Sequence, residues 1–99
     1  MSYRDIVEAD LRLCILRVAS AAPGYEVNAS ILRMALEENG HRISADTLKT
    51  QMAWLQEQGL VTVHEVGSLL IERLTARGLD VAQDRAHVPG VARPEPGTD

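Results

Sequence analysis

The chain has 99 residues, a formal net charge of −4 at pH 7, and one Trp, two Tyr and no Phe, so we expect one domain with an aliphatic core. Its single cysteine excludes a disulfide framework and a CxxC metal site. Its apolar runs are too short for a membrane-spanning helix and its N-terminus lacks a signal-peptide pattern, which predicts a cytoplasmic protein without membrane contacts.

The first predicted helix covers residues 5–22. Apolar residues recur at helical spacing along one face, and Ile6, Leu13 and Leu16 form a second apolar set on another side. A helix that is apolar on most of its circumference is either deeply buried or shared with another chain. For so short a protein we favour the second interpretation and expect a homodimer that these three residues help to form.

Two further helices are predicted over residues 28–39 and 44–59. Asn28 is a good N-cap, Gly40 suits the left-handed position after the second helix, and Gly59 stops the third. Since only three residues follow Gly40 before the third helix begins, the two helices suggest a helix-turn-helix.

The sequence period then changes from that of a helix to that of a strand. The runs 60–66 and 69–74 are rich in β-branched and apolar residues and flank Gly67-Ser68, which predicts a β-hairpin. The expected fold class is therefore mainly α with a small β-hairpin, in the order helix, helix, helix, hairpin, helix.

A last helix is predicted over residues 76–85. Its Leu79 and Val81 are apolar and extend the expected dimer interface. The segment 87–99 contains three prolines and two glycines, a composition that predicts a disordered tail. The folded domain is thus expected to cover residues 1–86.

This order of elements is that of the winged helix-turn-helix, and two motifs strengthen the resemblance. The recognition helix and first wing strand of ArsR-, MarR- and PadR-like transcriptional regulators resemble Leu48-x3-Met52-x2-Leu55-x3-Gly59-Leu60-Val61. The step from the wing into the next helix resembles Leu74-Thr75-x2-Gly78-x3-Ala82. The chain is also similar to the small winged-helix proteins encoded in Mu-like phages and prophages. The resemblance covers about residues 5–86 and implies a small transcriptional regulator that binds double-stranded DNA.

By position, the resemblance implies that the start of the third helix enters the major groove. Lys49 would contact a phosphate or guanine, Gln51 would pair with adenine, and Thr50 would hydrogen-bond or touch a thymine methyl. The full set of candidate DNA contacts is Arg42, Ala45, Asp46, Lys49, Thr50, Gln51, Arg73 and Arg77.

Charge leaves a second interpretation open. Between residues 28 and 51 acidic and basic side chains are equal in number, and the expected wing tip at 64–68 has no Lys or Arg. The pI is about 5.3, whereas self-sufficient DNA-binding domains more often have a pI above ~9. The alternative is a winged-helix adaptor that binds a protein partner, with Trp54 or the wing strands as the contact. If Trp54 is not a partner contact, we expect it to pack against the core or the wing.

Catalysis and cofactor binding find no support in the sequence. The three histidines are scattered, Cys14 lies in an apolar helix stripe without a base beside it, and a Gly-rich phosphate loop is missing. We therefore predict that the protein is not an enzyme and holds neither a metal nor another cofactor.

Overall fold

The computed structural model describes residues 1–96, in which four helices pack against a three-stranded antiparallel sheet. The elements in chain order are α1 (Tyr3–Ala21), β1 (Glu26–Asn28), α2 (Ala29–Glu38), α3 (Ala45–Glu57), β2 (Val61–Val66), β3 (Leu69–Leu74) and α4 (Ala76–Ala82). The strands lie in the order β1-β3-β2. Within these 96 residues, none of the helices has the length and apolar character needed to cross a membrane.

Side-chain caps begin the helices where the sequence predicts. Asn28, Ser44 and Thr75 each accept a hydrogen bond from a backbone N–H three residues further on. Gly40 and Gly59 follow α2 and α3 with positive φ angles of 90° and 75°, a conformation that glycine adopts without steric cost. The boundaries of the helix-turn-helix segment are therefore set by local chemistry.

The hairpin has its predicted bounds within one residue, but it belongs to a larger sheet than expected. In β2 and β3, Val66 lies opposite Leu69 across the turn. On the other side of β3, β1 pairs so that Val27 lies opposite Glu72. Because β1 pairs with β3, the expected hairpin is corrected to a three-stranded sheet. The sequence did not reveal β1, because a strand of only three residues has no detectable period.

The core is aliphatic, as the composition predicts. α1 passes through its centre and contacts α2, β3 and α4. The largest fully buried apolar side chains come from four of the elements and the turn before β2: Ile15, Leu16, Leu32, Leu36, Leu48, Met52, Leu55, Leu60 and Val61.

Most of the expected dimer interface lies inside the single chain. Leu13, Leu16 and Val81 are only 5%, 0% and 3% exposed, and Leu79 packs against the same core. α4 and the core thus cover the apolar surface of α1 that the sequence analysis assigned to a second subunit. Ile6 remains 53% exposed, and the homodimer itself stays a prediction.

Gly78 fixes the base of the hairpin against α4. A β-carbon at this position would overlap the carbonyl oxygen of Leu60 and lie 2.7 Å from Cδ1 of Leu74. The hydroxyl of Thr75 donates to the carbonyl of Gly59 at 2.7 Å. The glycine of the motif Leu74-Thr75-x2-Gly78 thus has a physical reason in this chain, because only glycine allows α4 to lie so close to the turn before β2.

The chain beyond α4 returns to α1. Val88 is only 5% exposed, and the backbone N–H of Ala92 donates to the carbonyl of Ala9 at 3.0 Å. Part of the segment 87–99, which the sequence analysis expected to be disordered, therefore packs on the domain. Residues 97–99 lie outside the described residues, and the division of the chain after residue 86 stays a prediction.

Candidate nucleic-acid interface

One face of α3 is free for contact with a partner. Leu48, Met52 and Leu55 are buried, and helical periodicity places a polar face on the opposite side. The exposed residues of that face are Asp46, Lys49, Thr50, Ala53 and Glu57. Because Ala53 and the preceding Ala45 are small, another surface can approach α3 closely at both ends of this face.

A groove of about 280 Å³ separates the start of α3 from the hairpin. Its walls are formed by Ala29, Ser30, Ala45, Lys49, Glu65, Ser68, Leu69 and Leu70. Lys49 is the one cationic side chain in this lining, and Glu65 on the hairpin is the one anionic side chain. The groove therefore brings part of the expected DNA-contacting set beside the hairpin, but with no net positive charge.

None of the three outlying arginines, Arg42, Arg73 and Arg77, lines this groove. Arg42 is 90% exposed and lies 3.2 Å from the carboxylate of Glu37. Arg73 lies 3.8 Å from Glu26 of the neighbouring strand, and Arg77 is exposed on α4. Exposed pairs of this kind are weak and exchange readily, so Arg42 remains able to reach a phosphate from its place just before α3.

Gln51 does not lie on the exposed face, where the sequence analysis expected it. The side chain is 5% exposed. Its amide oxygen accepts a hydrogen bond from Nε of Arg12 at 2.8 Å, and its amide nitrogen donates to Glu8 at 3.1 Å. Both polar groups of the amide are thus used within the chain, which removes Gln51 from the surface that would meet a base.

Trp54 is half-buried beneath the side chain of Arg12, the same residue that bonds Gln51. The guanidinium carbon of Arg12 lies 3.8 Å from the centre of the Trp54 ring, a distance typical of cation–π contacts. Gly90 of the C-terminal segment lies against the ring as well. Trp54 also packs against the hydrophobic core, so the predicted packing role is confirmed, with Arg12 and the C-terminal segment as further contacts.

The described residues contain no group of three or more His, Cys, Asp and Glu side chains placed to hold a metal ion. Nε2 of His41 lies 2.7 Å from a carboxylate oxygen of Asp10 and links the α2–α3 connection to α1. Burial, and then the charge of Asp10, raise the pKa of the half-buried Cys14 thiol, so this cysteine is protonated at neutral pH.

Glu72, the most unusual charged residue of the sheet, is not among the residues predicted from the sequence to be functional. It is 0% exposed and lies between Val27 of β1 and Val63 of β2. Neither carboxylate oxygen has a hydrogen-bond partner in the described part of the chain, and burial raises the pKa of this carboxyl to about 8. The alternation of side chains along β3 could have indicated that Glu72 is buried, because it places Glu72 on the same face as Leu70 and Leu74.

Comparison with known proteins shows relatives over nearly the full length of the chain, although no family model matches it. It is 46% identical over 92 residues to uncharacterized protein gp26 of Escherichia phage Mu, covering 93% of this chain and 95% of the relative. It is 40% identical over 80 residues to an uncharacterized protein of Haemophilus influenzae, covering 80% of this chain and 78% of that relative. The chain belongs to the family of small proteins that includes gp26 of phage Mu.

Proposed function

We propose that the protein is a winged helix-turn-helix regulator that binds double-stranded DNA, with α3 in the major groove and the β2–β3 hairpin as the wing. The observation that carries this proposal is the exposed polar face of α3 beside the hairpin groove. The order of elements, with a short connection between α2 and α3 and the hairpin directly after α3, supports it.

The chemistry of the α3 face suits base and phosphate contacts. Lys49 is exposed and is placed to donate to a phosphate or to guanine, while Thr50 beside it offers a hydroxyl and a methyl group. Ala45 and Ala53 leave room for the backbone of α3 to approach the groove floor. Because so few cations are present, one copy supplies few phosphate contacts. Two copies on adjacent half-sites would double them, with the exposed Ile6 as a candidate contact between subunits.

The family supplies a setting for this activity. A relative with 46% identity is encoded by phage Mu, so we place the regulator within a phage or prophage programme. The regulated genes and the operator are then those of the phage element itself.

Fluorescence anisotropy of a labelled mixed-sequence duplex tests the proposal. We expect binding at low salt that weakens as salt is added, and Lys49→Ala should lower the affinity about fivefold and reduce the salt slope by about 1. Arg4→Ala removes the same charge from an exposed position on α1 and should change the affinity much less. A flat titration at about 50 mM salt and high protein concentration would exclude DNA as the partner.

A protein partner is the second candidate, and two observations favour it. Val66 and Leu69 at the hairpin tip are 56% and 46% exposed, which gives the tip an apolar surface that a protein would cover. Arg42 and Arg73 also have acidic neighbours within the chain. Under this adaptor hypothesis, the duplex titration shows no salt-dependent binding and Lys49→Ala has no effect on it.

A further inference from the structure

Arg12 joins three parts of the chain through one side chain. Its Nε donates to Gln51 of α3 at 2.8 Å, and its Nη1 donates to the carbonyl of Gly90 at 3.1 Å. Its Nη2 lies 3.2 Å from the carboxylate of Glu8, one turn away on α1. The face of the guanidinium covers the Trp54 ring. The Arg12 side chain is only 13% exposed, and its hydrogen bond to Gln51 is partly buried, so this contact is shielded from water and keeps its geometry.

The segment 88–93, hereafter the C-terminal strap, covers Arg12 and Trp54 from outside. Gly90 has a φ of 98°, and a β-carbon there would lie 3.0 Å from the Trp54 ring and 3.1 Å from Nη1 of Arg12. The backbone N–H of Ala92 fixes the strap to α1 through the carbonyl of Ala9. Trp54 and Arg12 are thus held between α1 and the strap.

The outer end of the strap is attached more weakly than its centre. Arg93 pairs with Asp84 at 3.2 Å, and the two side chains are 66% and 36% exposed. Pairs this exposed contribute little and are screened by salt. Val88 at the start of the strap belongs to the core, so we expect only the part beyond it to detach by a local opening while the aliphatic core remains packed.

We propose that the C-terminal strap positions α3, acting through Arg12, Trp54 and Gln51. The apolar side of α3 packs on the core without directional bonds. Near the end of the helix, Oε1 of Gln56 accepts a hydrogen bond from the N–H of Val63 in β2, whereas rotation of the earlier turns about the helix axis must be opposed by other polar contacts. The paired hydrogen bonds of Gln51 fix that rotation, and Thr50 is its neighbour in the chain. Release of the strap loosens Arg12, rotates α3 and redirects Thr50 and Lys49. The consequence for DNA affinity rests on the proposed function; the consequence for α3 does not.

Gly90→Ala tests the strap, with Gly24→Ala as its matched control. Both glycines have positive φ angles, but a β-carbon at Gly24 meets nothing within 4 Å, whereas one at Gly90 meets Trp54 and Arg12. We expect Gly90→Ala to increase acrylamide quenching of Trp54, the only tryptophan, and to shift the backbone amide signals of α3 in ¹H–¹⁵N spectra. The affinity for the duplex should fall about fivefold. Gly24→Ala should leave all three unchanged.

Arg12→Met supplies a second variant that keeps an apolar stem over Trp54 but removes the polar links, and it should shift the same α3 signals. The proposal is overturned if Gly90→Ala folds and exposes Trp54, or if Arg12→Met folds, while the α3 amide signals match those of the natural chain. It is also overturned if quenching of Trp54 is the same in Gly90→Ala and Gly24→Ala. If the natural chain binds no duplex, the proposed function fails, and the quenching and spectra alone decide the role of the strap.

Discussion

Glu72→Gln is expected to raise the free energy of unfolding by about 3 kcal/mol at pH 7 and to leave it nearly unchanged at pH 4. The carboxyl of Glu72 is fully buried in the sheet, and neither oxygen has a hydrogen-bond partner among the described residues. Its charged form is therefore strongly disfavoured in the folded state. Glutamine has nearly the same shape but never ionises, so the substitution removes the cost of keeping the carboxyl protonated.

The direction of the pH dependence follows from the pKa of Glu72, which burial raises from 4.5 to about 8. Between these two values the folded protein retains a proton that the unfolded chain releases. Stability is therefore greatest below the unfolded pKa and falls as the pH rises, by about 1.4 kcal/mol per pH unit. The loss is complete once the pH passes the folded pKa, and stability then levels off.

Urea unfolding followed by far-UV circular dichroism, between about pH 4 and pH 9, measures this dependence. Glu65→Gln is the matched control, because Glu65 is an exposed glutamate of the same hairpin. The natural chain and the control should lose stability in parallel across the window, while Glu72→Gln should show a much flatter profile. A natural chain whose stability is constant between pH 5 and pH 8 would contradict this account of Glu72.

Features that depend on neighbours in the chain could be predicted from the sequence. Asn28, Ser44 and Thr75 cap their helices through a backbone N–H only three residues away. Gly40 and Gly59 end helices because of their own backbone conformation. These five residues set the boundaries of α2, α3 and α4 and the starting point of β2, and hence the place of the α3 face beside the hairpin.

Features that depend on distant contacts could not be predicted in the same way. Gln51 occupies a position between the exposed and buried faces of α3, and its inward orientation is decided by Arg12 and Glu8, which belong to α1. The strand β1 exists because three residues pair with β3. The C-terminal strap lies on α1 because the backbone N–H of Ala92 donates to the carbonyl of Ala9. In each case the determining partner lies far away in the sequence, so the local pattern contains no sign of it.

Reversing the negative charge of the groove between α3 and the hairpin should strengthen DNA binding. Glu65→Lys should raise the affinity for duplex DNA about tenfold at low salt and make its salt dependence steeper. Glu65 lines the groove opposite Lys49, where its carboxylate repels phosphates that the α3 face would otherwise attract. Under the proposed function, the substitution removes that repulsion and adds a cation at the hairpin, where the proposed wing would meet the DNA backbone. Glu65→Gln, which only removes the charge, should give a smaller gain.

The control is Asp80→Lys, which changes the net charge equally on α4, away from the groove lining. Long-range attraction between a less acidic protein and DNA affects both lysine variants alike. A direct phosphate contact affects only Glu65→Lys. Anisotropy titrations over a range of salt concentrations separate the two, because each added phosphate contact increases the salt slope by about 1. If the two variants gain equally, the groove does not meet DNA, and the apolar hairpin tip becomes the stronger candidate as a surface for a protein partner.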